Sequence, residues 1–427
     1  MTRFLYNLLL PLAFVVVLPG YLGRMFRRGG FRGDFGQRFA RYAPGLRERF
    51  RHGEWIWVHA VSVGELLIAL KLLEELHRRN PAWQFVVSST TSTAHALAMG
   101  RQQNWWVPVY TPVDFAPVVR RALDLVQPRA VILTESEMWP NFVWQAADRG
   151  LPVLLVNARV SPRSARRYRR FARLLRPVTR RLAAVGLQEA AHAELWEHLG
   201  VGPERRHVTG SVKYDPAADP GEARDFRPLL GRFGFRPGDP VLLAGSTHEG
   251  EEEILADALV ALRTRFPAAR LVIAPRHVER TGHILARLAP TGLRAARRTS
   301  DPDGTAPDVL LLDTTGELRD WYACADVVFI GKSLAGRGGQ NPVEAILAGR
   351  PVLFGPSMEN FASLRDALLD KGGAREVRDA GSLAEAAASL LASPEQHEAM
   401  TRAAASALRA HQGATARTAD LVEQFVP

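Results

Sequence analysis

The sequence has almost no cysteine. Cys324 is the single one among 427 residues, so no intrachain disulfide can form, which fits a reducing compartment. Cysteine and histidine never fall at zinc-ligand spacing, and this excludes the common zinc modules. The nucleophile-elbow pattern G-x-S-x-G is missing, as are the G-x-x-x-x-G-K-[ST] phosphate loop and the glycine fingerprint of dinucleotide domains. No short-period repeat or long low-complexity segment occurs. Asp301-Pro302-Asp303 has the look of a metal-binding pair, but it lies in a Thr/Ser/Gly-rich loop far from any expected strand end, and we discount it.

What is present begins with charge. The formal net charge is +11, carried almost wholly by arginine. That balance suits nucleic acid, phosphorylated substrates or an anionic membrane; arginine usage also follows genome composition, so charge alone decides little. No basic-aromatic nucleic-acid module is recognisable. Phe4 to Gly23, FLYNLLLPLAFVVVLPGYLG, carries no charge over twenty residues, a length that spans roughly 30 Å as a helix. Arg24, Arg27, Arg28, Arg32, Arg38 and Arg41 follow, which predicts that the rest of the chain stays cytoplasmic. No small-x-small cleavage site follows the run. Residues 1–28 are therefore expected to be a membrane anchor. A span is preferred, although Pro11 and Pro19 leave an interfacial helix open.

Beyond the anchor, apolar runs at 55–59, 84–89, 130–134, 152–156 and 183–187 alternate with longer segments, many of helical periodicity. A second series falls at 241–245, 270–275, 309–313, 326–331 and 351–354. Such alternation predicts parallel α/β sheets. A Pro/Gly/Asp-rich passage over 214–240 predicts a linker between domains at 29–213 and 241–427. The halves echo each other, VHAVSVGELL against LLAGSTHEGEEEIL, each a strand, a small polar turn and a glutamate entering a helix. Two doubly wound, Rossmann-like domains facing across a cleft are the expected architecture.

Several clusters fall at strand ends, where open α/β sheets bind ligands. Glu65 sits at a strand-to-helix turn and is open to either a helix-start or a functional role. In TESEMWPN, Glu135 and Glu137 follow a strand and would share one side if that strand continued. Asn157, Arg159 and Arg163 suit an anion or a hydroxyl. In GSTHEGEEE, the hydroxyls of Ser246 and Thr247, with free helix N–H groups, suit a phosphate. Arg276, His277 and Arg280 stand at another strand end. The glycine-rich stretch 331–361 lets backbone approach a ligand, with Asn341-Pro342-Val343-Glu344 opening a helix toward a phosphate and Glu344 able to accept from a ribose.

Taken in order, HAVSVGE, TESEMWPN, NARVSPRS, GSVKYD, GSTHEGEE, PRHVER, GRGGQNPVE and GPSMENF resemble the motif series of the 3-deoxy-D-manno-oct-2-ulosonic acid (Kdo) transferases of lipopolysaccharide biosynthesis. The resemblance runs from the anchor to about residue 361. It implies an inverting glycosyltransferase of GT-B fold at the inner membrane of a Gram-negative cell, with CMP-Kdo as donor, a lipid A precursor (lipid IVA) as acceptor, and no metal or cofactor. On it, residues 29–213 become the acceptor domain and 241–427 the CMP-Kdo domain. Glu65 becomes the general base, and Glu135 or Glu137 a second essential carboxylate. Ser62, Gly64, Asn157, Arg159 and Lys213 would line the site in the first domain. Ser246, Thr247, His248, Glu249, Arg276, His277, Ser333, Gly338, Gly339, Gln340, Asn341 and Glu344 would do so in the second. A helix N-terminus is expected to keep Glu65 ionised. Lys332 departs from the glycine that many members carry there. A GT-B enzyme using another sugar nucleotide, a UDP-sugar transferase or epimerase, is the competing expectation, as one fold hosts many chemistries.

One segment bears on a membrane surface. RSARRYRRFARLLRPVTRR, residues 163–181, is dense in arginine, with Tyr168, Phe171, Leu174 and Leu175 interleaved at helical spacing. This pattern predicts an interfacial helix meeting lipid phosphates and acyl chains.

Overall fold

The computed structural model describes residues 2–27, 34–160, 162–215, 224–301 and 306–426. Arg28, Arg32, Pro302 and Asp303 lie outside the described residues, as do the side chains of Arg24, Arg27 and Arg163. The chain forms two compact units, one of residues 1–215 with 411–427 and one of residues 216–410.

The first unit is built on seven parallel strands: β1 (Trp55–Ala60), β2 (Gln84–Ser89), β3 (Trp106–Tyr110), β4 (Ala130–Thr134), β5 (Val153–Ala158), β6 (Ala184–Leu187) and β7 (Arg206–Val208), in the order β3-β2-β1-β4-β5-β6-β7. Every residue of β1 is buried, because helices cover both faces of a parallel sheet. Trp55 and Trp57 pack into a core with Val131, Leu133 and Trp196, while Ile56 and Val58 pack opposite with Leu66, Leu73 and Ile132. The strand order reverses between β1 and β4, so a crevice opens at their carboxyl ends.

The second unit repeats the plan with β8 (Val241–Thr247), β9 (Arg270–Pro275), β10 (Ala295–Arg297), β11 (Val309–Leu311), β12 (Val327–Ile330), β13 (Val352–Phe354) and β14 (Ala374–Glu376). Their order is β10-β11-β9-β8-β12-β13-β14, all parallel. Its switch point lies between β8 and β12. The paired α/β sheets expected from the sequence are present.

Three expectations change. Residues 411–427 do not belong to the second unit: helix Ala414–Phe425 packs Ala419, Leu421 and Val422 into the core beneath β1 and β5. The linker also shrinks. Asp215 closes the first unit, and Phe226 already stacks on Trp321 of the second, with centroids 4.4 Å apart.

The third change concerns the anchor. Thr2–Arg27 is one helix, yet among the described residues no helix is long and apolar enough to cross a membrane. The expected span is therefore not supported. One side of this helix is instead committed to the first unit through polar groups. Tyr6 donates to Asp114 (2.8 Å), Asn7 and Asn141 exchange amide hydrogen bonds (3.0 and 2.9 Å), and Arg3 pairs with Asp148. Phe4, Leu8, Leu9, Leu12, Val15 and Val16 remain exposed on the other side.

Candidate functional site

At the first switch point, Ser62 caps helix Val63–Arg79 and Glu65 is its third residue. The S-x-x-E spacing is that of a capping box, but here the acid turns back past the cap, onto the residue that precedes it. Glu65 Oε2 accepts from Val61 N at 2.8 Å and Oε1 accepts from the Ser62 hydroxyl at 2.9 Å. Gly64 adds no side chain between them. Burial raises the Glu65 carboxyl above the usual carboxylate range, although these hydrogen bonds pull it down. Desolvation thus works against the helix terminus, which was expected to favour the charged form.

Glu135 and Glu137 come to the same place from β4. The strand ends at Thr134, and Glu135 takes a left-handed backbone, φ 55°, so a tight turn, not strand alternation, brings the pair together. Burial and the Glu65 charge raise Glu135, against Arg159 and Lys213; burial, Glu65 and Glu135 push Glu137 up to about 7. Burial and Arg159 bring Lys213 down to about 8 despite Glu135. Three carboxylates and two cations therefore interact in one half-buried cluster. Asn157 is not open to a ligand. It is fully buried, its Oδ1 accepts from Val212 N at 3.0 Å, and it ties the end of β5 to the loop carrying Lys213.

In the second unit the sequence candidates divide. Thr247 and Ser333 are fully buried with committed hydroxyls. Thr247 donates to Glu252 (2.9 Å), which also holds Arg280; Ser333 Oγ donates to Ile330 O and accepts from Gly355 N at 2.7 Å. The helix after β8 begins at Glu251, and its first turn carries Glu251, Glu252 and Glu253. These acids favour the positive end of the helix, but their carboxylates bond elsewhere, Glu252 to Thr247 and Arg280 and Glu253 to Arg287. Helix Val343–Leu347 has five residues, and Asn341 Oδ1 accepts from Val343 N at 3.1 Å. Its first turn is short and partly satisfied.

The groups left facing outward are Arg276, His277, Glu249, Asn341 and Glu344, with Ser246, His248, Lys332 and Gln340 half-buried. His248 and His277 lie with ring centroids 6.0 Å apart, and the His248 Nδ1 meets Ser246 O at 3.2 Å. Burial lowers the His248 pKa, against its bond to Ser246 O and the Glu251 charge. Partial burial raises Glu344, with Asp320 adding to it and Arg319 opposing. Gly338 and Gly339 have φ of 104° and 66°, and a side chain on Gly339 would strike Met358, so the loop needs glycine there.

Glu251 looks in the sequence like one of three acids opening a helix. In the fold it is fully buried and bonded to backbone 81 to 83 residues further along the chain. No local pattern separates it from its neighbours.

A family model described as 3-deoxy-D-manno-octulosonic-acid transferase (kdotransferase) matches residues 33–216. A 3-deoxy-D-manno-octulosonic acid transferase of Bordetella pertussis is 36% identical over 386 residues, covering 87% of each chain. One from Haemophilus influenzae is 30% identical over 100% of this chain and 99% of its own. In fold alone, the chain is similar to the glycosyltransferase of kitacinnamycin (18% identity, TM-score 0.53, 88% of this chain and 100% of that one). It is likewise similar to a UDP-N-acetylglucosamine 2-epimerase from Listeria monocytogenes (13%, 0.55, 87% and 95%). Both likenesses fit a GT-B-like pair of parallel seven-stranded sheets.

Proposed function

The chain belongs to the 3-deoxy-D-manno-octulosonic acid transferases, glycosyltransferases that transfer Kdo in lipopolysaccharide biosynthesis, and from that membership we propose its donor, acceptor and catalytic groups. The donor is CMP-Kdo and the acceptor a lipid A precursor. Glu65 is the general base. A sugar hydroxyl is a poor nucleophile, so inverting transfer needs a group that takes its proton as the anomeric centre gains oxocarbenium character. The observation that carries this reading is the carboxylate cluster at the β1/β4 switch point. Burial makes Glu65 a stronger base than a solvated glutamate, and its charge in turn raises Glu135 and Glu137 beside it.

In the second unit, Arg276, His277 and Lys332 supply cationic or hydrogen-bonding groups for the leaving CMP phosphate, and Glu344 accepts from the ribose. No metal is needed in this scheme. The exposed apolar side of the N-terminal helix lies in the membrane surface as an interfacial anchor. Phe171, 46% exposed between the arginine-rich helices Pro162–Arg170 and Ala172–Thr179, and Leu174, 52% exposed in the second of them, add to it.

The test is product mass. Purified protein incubated with CMP-Kdo and lipid IVA should raise the lipid's mass by whole Kdo increments, and their number gives the units added. Transfer from UDP-sugars in place of CMP-Kdo would overturn the donor assignment.

A further inference from the structure

Two loops end neighbouring strands at the second unit's switch point. One, His248–Gly250, follows β8; the other, Gly331–Gln340, follows β12, and the two strands pair in register through Gly245 and Ile330. The approach to each loop passes through a backbone conformation that suits glycine, yet holds a side-chain residue there: Ser246, near the end of β8, has φ 56° and Lys332, just after β12, has φ 59°. Such conformations persist where the surroundings fix them. At Lys332 a single carboxylate is bonded to the turn, and it reaches the other loop through His248.

Glu251 Oε2 accepts from His248 N at 2.9 Å and Lys332 N at 2.7 Å; Oε1 accepts from Ser333 N at 2.9 Å and Leu334 N at 3.0 Å. Four backbone donors from two loops converge on one fully buried side chain. Three successive N–H groups turned toward a point form a nest of the kind that binds anions. Here the chain fills its own nest. Charge-assisted bonds of this sort are strong and directional, and the carboxylate sits on the first residue of helix Glu251–Leu262, rigidly placed by Leu255 and Leu259 in the core.

We propose that Glu251 is a positioning residue for the donor: acting as an internal anion, it locks the β12 loop onto the β8 loop and so sets where Lys332 and His248 stand toward the leaving phosphate. This rests on the assignment of the donor to the second unit. Glu251 touches no substrate itself, because all four donors around it are backbone groups of its own unit. The lock also explains how a lysine is carried at a left-handed position.

The test compares Glu251→Ala and Glu251→Gln with the wild type. In the alanine variant the vacated nest should accept formate. We expect the KM for CMP-Kdo to rise about tenfold or more, the loss of roughly one strong bond's worth of positioning, while the KM for the lipid acceptor stays unchanged. Formate should restore the donor KM in a saturable way and leave the wild type unaffected. Amide exchange at Lys332, Ser333 and Leu334 should speed up in the variant and slow again with formate. The glutamine variant covers the case in which alanine fails to fold: it keeps the size, places an NH2 against two donors, and should show the same donor-specific rise at a near-normal melting temperature. Unchanged donor KM in a folded variant, or a fall in kcat with both KM values fixed, would overturn the proposal. If the wild type uses no CMP-Kdo, the donor assignment fails, and exchange at residues 332–334 still decides the lock: protection unchanged in the variant rejects it.

Discussion

At the scale of residues, Glu65 carries two roles that one substitution separates. Its capping-box bonds stabilise a helix start, whereas its raised basicity suits proton removal. Glu65→Gln keeps the shape and one acceptor. Single-turnover transfer should fall at least about 10²-fold, with CMP affinity unchanged and a stability change no larger than about 1 kcal/mol, the size of a helix-terminal charge effect. Near-normal transfer would shift the base to Glu135 or Glu137. Glu137 offers a second test through pH. Its carboxyl rises from 4.5 to about 7 on folding, so the folded state binds the proton more tightly than the unfolded chain. Its contribution is then fully present below about pH 4.5 and lost as pH climbs through about 7. Denaturant melts of the wild type should show this loss between those values, and Glu137→Gln should lack that component. A difference curve flat with pH would contradict the placement of Glu137 beside the other two carboxylates.

Among elements, the N-terminal helix is a structural part of the first unit as well as the proposed interfacial anchor. Asp114 is buried, holds the start of helix Pro140–Asp148 through Asn141 N and Phe142 N at 3.0 Å each, and accepts from Tyr6 of the N-terminal helix. Burial pushes it up to about 6, and each donor lost raises the cost of its charge. Tyr6→Phe should therefore cost about 1–3 kcal/mol at neutral pH, read from urea unfolding. Deleting residues 1–23 should release much of the protein from membranes, with residual binding through the arginine-rich segment, and also lower its melting temperature; release with no stability change would show the docking to be idle. The same scale shows what a sequence reveals. Central strands were legible because two buried faces make continuous apolar runs such as AVILT and RLVIA. The four that escaped notice, β3, β7, β10 and β14, are the four sheet edges. Three have only three residues, and β3 contains Pro108, which an edge tolerates because one side needs no donor. Among site groups, Glu65, Glu135 and Glu137 were readable from their place after strands. The commitment of Thr247, Ser333 and Asn157 to internal bonds was not, for their partners are distant in sequence or lie in backbone turned by the fold.

For the whole molecule, the second passage of the chain through the first unit matters most. Asp215 accepts from Gly413 N and Thr415 N at 2.7 Å each, Ser211 N donates to His411 Nδ1 at 3.2 Å, and Arg79 reaches Asp420 and Glu423. Ending the chain at Ala410 removes these bonds with the buried Leu421 and Val422. A loss of about 2–5 kcal/mol per large core side chain is expected to unfold the first unit, while residues 216–410 keep a cooperative melt. Two transitions by calorimetry, with only the first lost on truncation, would confirm it. The return also fixes an order in time. A ribosome delivers residues 216–410 entire before it delivers helix Ala414–Phe425, so the later half is complete first. The earlier half waits with the groove beneath β1 and β5 uncovered until helix Ala414–Phe425 emerges, and its nascent form is the one that chaperones must shield.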